Sequence, residues 1–350
     1  MAERLSDARP TGRATRIGTV ATAIVALTMG TACGTPTEPP DPSTPTSPSG
    51  TPAPTSPSAT QEPSPTPDEE PERERIVVAA GDIVCDTTAE GFFGRDPSQC
   101  RHRATARLVR PADAVLVLGD LQYDDGRLGA FQLFYDPTWG RFADVTYPTP
   151  GNHEYGTPGA EGYFAYWRSK GRPTGGAGHA FYSFDVGAWH LVSLDSNCFS
   201  CLEGSAQDRF LERDLERTNK ECTLAFWHHP AFNSGTVHDE DALAVVRGFW
   251  QDLYSAGADI VLNGHEHNYQ RYAKQDPSGR ASARGIRQFI VGTGGRSLYA
   301  LREEKVRNFQ AGTARHFGVL RLALGERSYS WEFVGIDGSV LDRGGPTPCN

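Results

Sequence analysis

Five short clusters of chemically able residues occur along the chain. They are Gly81-Asp82, Gly119-Asp120-Leu121-Gln122-Tyr123, Gly151-Asn152-His153-Glu154, His228-His229-Pro230 and Gly264-His265-Glu266-His267. Four of the five place a glycine at the bend, which lets the backbone turn sharply and bring the next side chain close to a ligand. Their donors are carboxylate, phenol, amide and imidazole, with no thiolate. That mixture suits two borderline-hard cations better than a structural zinc site. A carboxylate shared between the cations would hold them close enough for two-metal hydrolysis. His265 and His267 alternate along an extended segment, so both rings can face one cavity. Their spacing is not that of the helical HExxH of zinc proteases. Singly, each cluster has a plain reading: a turn at Gly81-Asp82, a capped turn at Asn152-His153, core imidazoles at His228-His229. In this order, at successive strand ends, they read as one centre.

These clusters need elements that deliver them to one place. From Arg75 onward, apolar runs at Ile76–Ala80, Ala114–Leu118, Thr223–Trp227, Asp259–Leu262 and Gln288–Val291 each lead within two residues into Gly or His. Continuous runs of that length suit strands buried on both faces of a sheet. Helical patterns lie between them at roughly Arg103–Val109, Ala206–Arg217 and Asp241–Ser255. Ala180–Val186 and Trp189–Asp195 read as paired strands around a turn at Gly187. After Val291 the pattern is mostly β, with Phe317–Leu324 and Tyr329–Val334 alternating. Gly151 is the exception among the motif glycines, since it follows a proline-rich turn. The expected organisation is one α/β domain over residues 75–350, with function at the C-terminal ends of its strands.

In the order GD, GDxxY, GNHE, HxP and GHxH, the clusters resemble the calcineurin-like metallophosphoesterases, and within them the purple acid phosphatase branch. The resemblance covers nearly all of residues 76–292. Most of that superfamily opens with Asp-x-His, whereas Asp82-Ile83-Val84 has no histidine. Tyr123, three residues after Asp120, takes that ligand's place in the purple branch. Phenolate is a hard anionic donor and favours trivalent iron.

The resemblance implies a four-layer α/β/β/α sandwich. It implies a first metal, iron as Fe(III), on Asp82, Tyr123, His267 and a bridging Asp120. A second divalent metal (Fe, Zn or Mn) falls to Asp120, Asn152, His228 and His265. In HxP the first histidine is the ligand, which sets His229 aside. His153 is expected to face substrate. His238, ten residues after His228, is expected to contact phosphate or act as general acid, against the alternative of a surface imidazole among Asp239, Glu240 and Asp241. Tyr269 and Arg271 match the family's tail after GHxH and are read as packing residues. Two features depart from the family. Val84 stands where GDxG has its last glycine, and a proline-rich tether stands where the plant enzymes carry a β-sandwich domain.

The expected chemistry is hydrolysis of a phosphate ester. Two cations acidify a water, attack is in line without a covalent enzyme intermediate, and a histidine protonates the leaving alkoxide. A secreted phosphomonoesterase is the first reading, a phosphodiesterase or nucleotidase on the same metals the second, and a non-catalytic surface binding protein the third. His102, His179, His190 and His316 are read as structural. Gly292-Thr293-Gly294-Gly295 lacks the lysine and spacing of a P-loop and reads as a tight strand-end turn. The chain has no Gly-x-Ser-x-Gly elbow, which argues against a serine hydrolase.

Composition narrows the partners. The net charge is −9, and residues 1–75 carry −4 of it, leaving −5 for the other 275 residues. A mildly acidic globule is a poor nucleic-acid binder, so no nucleic acid is expected as a stable partner, and the resemblance implies a small phosphate ester instead. Thirteen of the 25 prolines lie between Pro36 and Pro71. That Pro/Ser/Thr block buries too little apolar surface to order itself and reads as a disordered linker over residues 33–74. Ahead of it, Arg4, Arg9, Arg13 and Arg16 precede the apolar run Ile17–Met29 and then Gly30-Thr31-Ala32-Cys33. This is the pattern of a secretory signal over residues 1–32, its apolar run too short to span a bilayer as a helix. Cleavage before Cys33 would leave a lipid-modified cysteine, as in bacterial lipoproteins, although Gly30 stands where that pattern has leucine. Cleavage by a general signal peptidase would leave Cys33 without a role. The expected location is extracytoplasmic, either secreted or lipid-anchored to the outer face of the membrane; no oligomeric state is read. Setting Cys33 aside leaves six of the seven cysteines and fifteen pairings. The arrangement expected is Cys85–Cys100, Cys198–Cys201 and Cys222–Cys349.

Overall fold

Nearly every apolar run becomes a strand. The computed structural model describes residues 73–85, 100–176, 178–197, 203–238 and 243–350. Its strands are β1 (Arg75–Ala80), β2 (Ala114–Leu118), β3 (Thr146–Thr149), β4 (Tyr182–Val186), β5 (Trp189–Ser193), β6 (Cys222–Phe226) and β7 (Ile260–Asn263). They continue as β8 (Tyr269–Tyr272), β9 (Arg287–Val291), β10 (Phe309–Thr313), β11 (Gly318–Leu324), β12 (Ser328–Gly335) and β13 (Val340–Pro348). One sheet has the order β13-β12-β11-β1-β2-β3, the other β10-β8-β9-β7-β6-β5-β4. β1, β2 and β3 run parallel, as do β5, β6, β7 and β9. Parallel neighbours need crossovers. The helix His102–Thr105 lies between β1 and β2, Ala206–Arg217 between β5 and β6, and Leu243–Ser255 between β6 and β7.

The two-residue period of a strand sends alternate side chains into different layers. Leu224 and Phe226 of β6 and Ile260 and Leu262 of β7 join a core containing Val78, Val319 and Leu320 of the other sheet. The intervening Ala225 and Val261 enter a second core with Leu211, Val246, Phe249 and Leu253 of the two helices. Phe131, Tyr135, Tyr163 and Trp167 complete the first core from helical segments. Helix, sheet, sheet and helix therefore stack as the four-layer sandwich expected. Each fully buried Leu, Ile or Phe contributes about 1.5–3 kcal/mol.

Two elements differ from expectation, and a third lies where the sequence shows no clear period. Gly151 follows β3, not a bare turn; Pro148 is tolerated inside it because β3 is an edge strand whose outer amides need no partner. The segment between Gly156 and Gly178 contains the helix Glu161–Ser169, whose Tyr163, Tyr166 and Trp167 are buried. The helix expected at Arg103–Val109 is one α-turn continued by a 3₁₀ turn at Ala106–Leu108, ahead of Pro111. Two of the expected disulfides are formed, Cys85–Cys100 and Cys222–Cys349. Cys33, Cys198 and Cys201 lie outside the described residues. Tyr269 and Arg271 do pack: both hydrogen-bond Asp342 of β13, at 2.6 Å from the phenol and 2.7 and 3.0 Å from the guanidinium.

Candidate metal centre

All five motifs leave the C-terminal ends of parallel strands: Asp82 after β1, Asp120 after β2, Asn152 after β3, His228 after β6, His265 and His267 after β7. Three of these residues have left-handed backbones, Asp82 at φ 58°, Asp120 at 50° and His265 at 71°. Non-glycine residues rarely adopt that conformation, and it concentrates at functional sites. Here the three residues converge on one cluster of donors. Gly151 serves the same end, since a side chain there would run into Asp120 Oδ1.

Two donor groups result. Tyr123 Oη lies 2.9 Å from Asp82 Oδ1, 3.0 Å from Asp120 Oδ2 and 2.8 Å from His267 Nε2. His228 Nε2 lies 3.3 Å from Asp120 Oδ2, 3.1 Å from Asn152 Oδ1 and 3.2 Å from His265 Nδ1. The first group holds the four donors expected for one cation and the second the four expected for the other. Asp120 Oδ2 is common to both. All seven side chains except Asn152, which is exposed, are buried. His229 also brings a ring nitrogen within 4.8 Å of those of His228 and His265. Its Nδ1 is engaged by Ser196 Oγ at 2.8 Å.

The donor chemistry fits cations. Asp82 and Asp120 are buried carboxylates, and among the described residues neither is ion-paired with lysine or arginine; the Tyr123 phenol and the imidazoles of His153, His228 and His267 face them. His228 Nδ1 contacts Leu118 O at 2.8 Å and His267 Nδ1 contacts Ser297 O at 2.7 Å. In the neutral ring, donation to a backbone carbonyl fixes the tautomer and leaves each Nε2 lone pair facing the other donors. Burial opposes charge on Asp120, yet His228 and His153 hold its carboxyl well below the usual range. Burial and then the two carboxylates push the Tyr123 phenol well above its ordinary value, so a strong Lewis acid is needed to make it a phenolate. Burial opposes protonation of His228, but Asp120 raises it to about 9. His265 is held well below its ordinary value by burial and by His228.

Outside the donors, His153 is about one-third exposed (32%), with Nε2 3.9 Å from Asp120 Oδ2 and Nδ1 2.6 Å from Asp124 O. His238 stacks on His265 at 4.1 Å, and its amide donates to Glu266 Oε1 at 2.7 Å. It is therefore a wall of the centre and not a lone surface imidazole. The other four histidines make local contacts: His190 with Asp185 and Asp214, His316 with Thr313, His179 with Phe181, His102 with Cys100. The Gly292–Gly295 turn is a turn, packed beneath Asp82 and Glu266.

Four residues of the centre carry roles that their motifs do not spell out. Glu154 accepts four backbone amides, Glu266 holds the loop bearing His238, and Arg296 and Tyr299 lie against Tyr123 and His267. The last two follow directly on the turn at the C-terminal end of β9, the position at which every other motif was found.

The calcineurin-like phosphoesterase family profile matches residues 77–269. Purple acid phosphatase 22 of Arabidopsis thaliana is 28% identical over 254 residues, covering 65% of this chain and 56% of its own. Human acid phosphatase type 7 is 30% identical over 186 residues, covering 45% and 40%. The chain thus spans about half the length of the curated relatives it matches. Among solved structures, a purple acid phosphatase from yellow lupin seeds superposes with a TM-score of 0.60 at 18% identity, over 77% of this chain and 53% of that one. A likeness at that identity concerns the fold.

Proposed function

The chain belongs to the calcineurin-like phosphoesterase family, and we propose that it is a binuclear-metal hydrolase of phosphate monoesters acting outside the cytoplasm. The observation that carries this reading is Asp120, whose Oδ2 stands 3.0 Å from the Tyr123 phenol and 3.3 Å from the His228 imidazole. One carboxylate oxygen is thereby common to an oxygen-rich donor group and a nitrogen-rich one. Two bound cations supply acidification of water and neutralisation of phosphate charge. The chain's own residues hold and orient: Asp82, Tyr123, His267 and Asp120 on one side, Asn152, His228, His265 and Asp120 on the other. Phenolate favours Fe(III) on the tyrosine side, with Fe, Zn or Mn on the other.

His153 and His238 are the partly exposed imidazoles beside these donors, with side chains 32% and 24% exposed. They are placed to hydrogen-bond phosphoryl oxygens, and one of them donates a proton to the leaving oxygen. Two disulfides support an oxidising compartment, and with the N-terminal pattern they support export, with lipidation at Cys33.

The test is turnover of an aryl phosphate and a bis-aryl phosphate by purified protein of known metal content. The monoester should be the better substrate. Failure to hydrolyse either with two metals bound would remove the enzyme reading, and a preference for the diester would move it to phosphodiesterase. Tyr123→Phe should abolish the visible tyrosinate-to-iron absorption of the native protein. A colourless native protein with two metals bound would overturn the iron assignment.

A further inference from the structure

The segment after β9 supplies a wall to the centre. Tyr299 stacks on His267 with ring centroids 3.9 Å apart and planes 10° from parallel. Arg296 carries its guanidinium carbon 5.2 Å from the centroid of the Tyr123 ring, while His153 lies 4.2 Å from the same ring. Its backbone is pinned, since Arg296 N donates to Asp82 O at 2.9 Å. Its side chain is not. Arg296 is half-buried, its Nε is buried with no hydrogen-bond partner, and no carboxylate among the described residues pairs with it.

Such a group is costly. A half-buried guanidinium with a buried, unsatisfied N–H loses hydration that no protein acceptor replaces. Arg75 Nε and Arg172 Nη2 are also buried without partners, but those side chains keep other acceptors, Arg75 the Asp113 carboxylate at 3.9 Å and Arg172 the carbonyls of Asp144 and Thr146, while Arg271 has Asp342 and Arg287 has Tyr272 O and Gln310. Arg296 differs in standing beside the donors of the centre, where an anionic substrate would bring the missing acceptor. Guanidinium offers a planar fork of donors that matches two phosphoryl oxygens.

We propose that Arg296 is a substrate-binding residue, donating to non-bridging phosphoryl oxygens and favouring dianionic monoesters over monoanionic diesters. The inference rests on the phosphoesterase reading and deepens it. A monoester presents one more anionic oxygen than a diester, so a permanent cation beside the centre discriminates by charge.

The test compares wild type, Arg296→Ala and Arg296→Lys, all metal-loaded and checked for metal content. Aryl phosphate and bis-aryl phosphate turnover is measured, together with the affinity of inorganic phosphate by calorimetry. Arg296→Ala should lose about 10- to 100-fold in kcat/KM on the monoester and weaken phosphate binding about tenfold, with a much smaller loss on the diester. Arg296→Lys should recover part of both losses, because it keeps the charge but not the fork. Equal losses on both esters with unchanged phosphate affinity would mean that Arg296 acts through Tyr123 on the metal centre, and would overturn the proposal. If wild type turns over neither ester, the phosphoesterase reading fails by itself. Phosphate calorimetry still decides Arg296, and an affinity unaltered by Arg296→Ala refutes it.

Discussion

Asp120→Asn is expected to lower turnover of an aryl phosphate by at least about 1,000-fold and to leave the purified protein short of two metal ions. The substitution is nearly isosteric, so the fold should survive. Asn Oδ1 can keep the hydrogen bond that Asp120 Oδ1 accepts from His153 N at 2.9 Å. The amide nitrogen then occupies the place of Oδ2, facing Tyr123 Oη and His228 Nε2. A neutral donor there cannot serve a cation, and both donor groups lose their shared anion at once. The charge change matters as well as the geometry, because Asp120 is what holds His228 up to about 9. A metal competing for His228 has to displace that proton, and the negative charge that drew the proton is the one that draws the metal. Metal analysis and saturating turnover, measured together, check the prediction. A variant with two metals bound and wild-type turnover would show that Asp120 is not common to both sites.

Much of this centre was legible because its donors are carried in short motifs, each at the end of an apolar run. Asp82, Asp120, His228, His265 and His267 could be placed at strand ends from the periodicity of the preceding residues alone. Asn152 was harder, because Pro148 inside β3 hides the strand that delivers it; an edge position, which depends on the whole sheet order, is what permits that proline. The left-handed backbones of Asp82, Asp120 and His265 were not legible either, since aspartate and histidine adopt a positive φ more often than most residues but still only occasionally. They are imposed by contacts distant in sequence, such as His265 N donating to Asp82 Oδ2 at 2.9 Å. Arg296 and Tyr299 carry no motif of their own. The glycines before them read as a turn, and a turn draws attention away from what it presents. The helix Glu161–Ser169 carries its apolar residues as aromatics in a stretch rich in glycine, which masks its period.

Glu154→Gln should be among the most destabilising isosteric changes in the molecule, although Glu154 is outside both donor groups. Its carboxylate is fully buried and accepts from four backbone amides. Leu121 N at 2.9 Å and Gln122 N at 3.2 Å reach one oxygen, Asp120 N at 2.9 Å and Gly151 N at 2.7 Å the other. The loop carrying Asp120 and Tyr123 is thus tied to the loop carrying Asn152 through a single side chain. Burial and the charge of Asp120 push the Glu154 carboxyl up to about 8, against the amides, which favour its ionised form. Four donors occupy the acceptor positions of both oxygens, so the ionised form is the one this geometry serves. Cations beside Asp120 would remove the repulsion that opposes it. In glutamine one oxygen keeps its pair of amides, while the side-chain NH2 faces two further N–H groups and can accept from neither. Two buried amides lose their partner and a donor-to-donor contact replaces them, at about 3–5 kcal/mol. For a chain of this size that is a fall of about 10 °C in the unfolding midpoint. Glu154→Ala should cost at least as much and should also lower metal content, since the two loops are then free to part. If Glu154 only filled space, the glutamine variant would unfold within a degree or two of wild type, and calorimetry of the two variants side by side separates these outcomes.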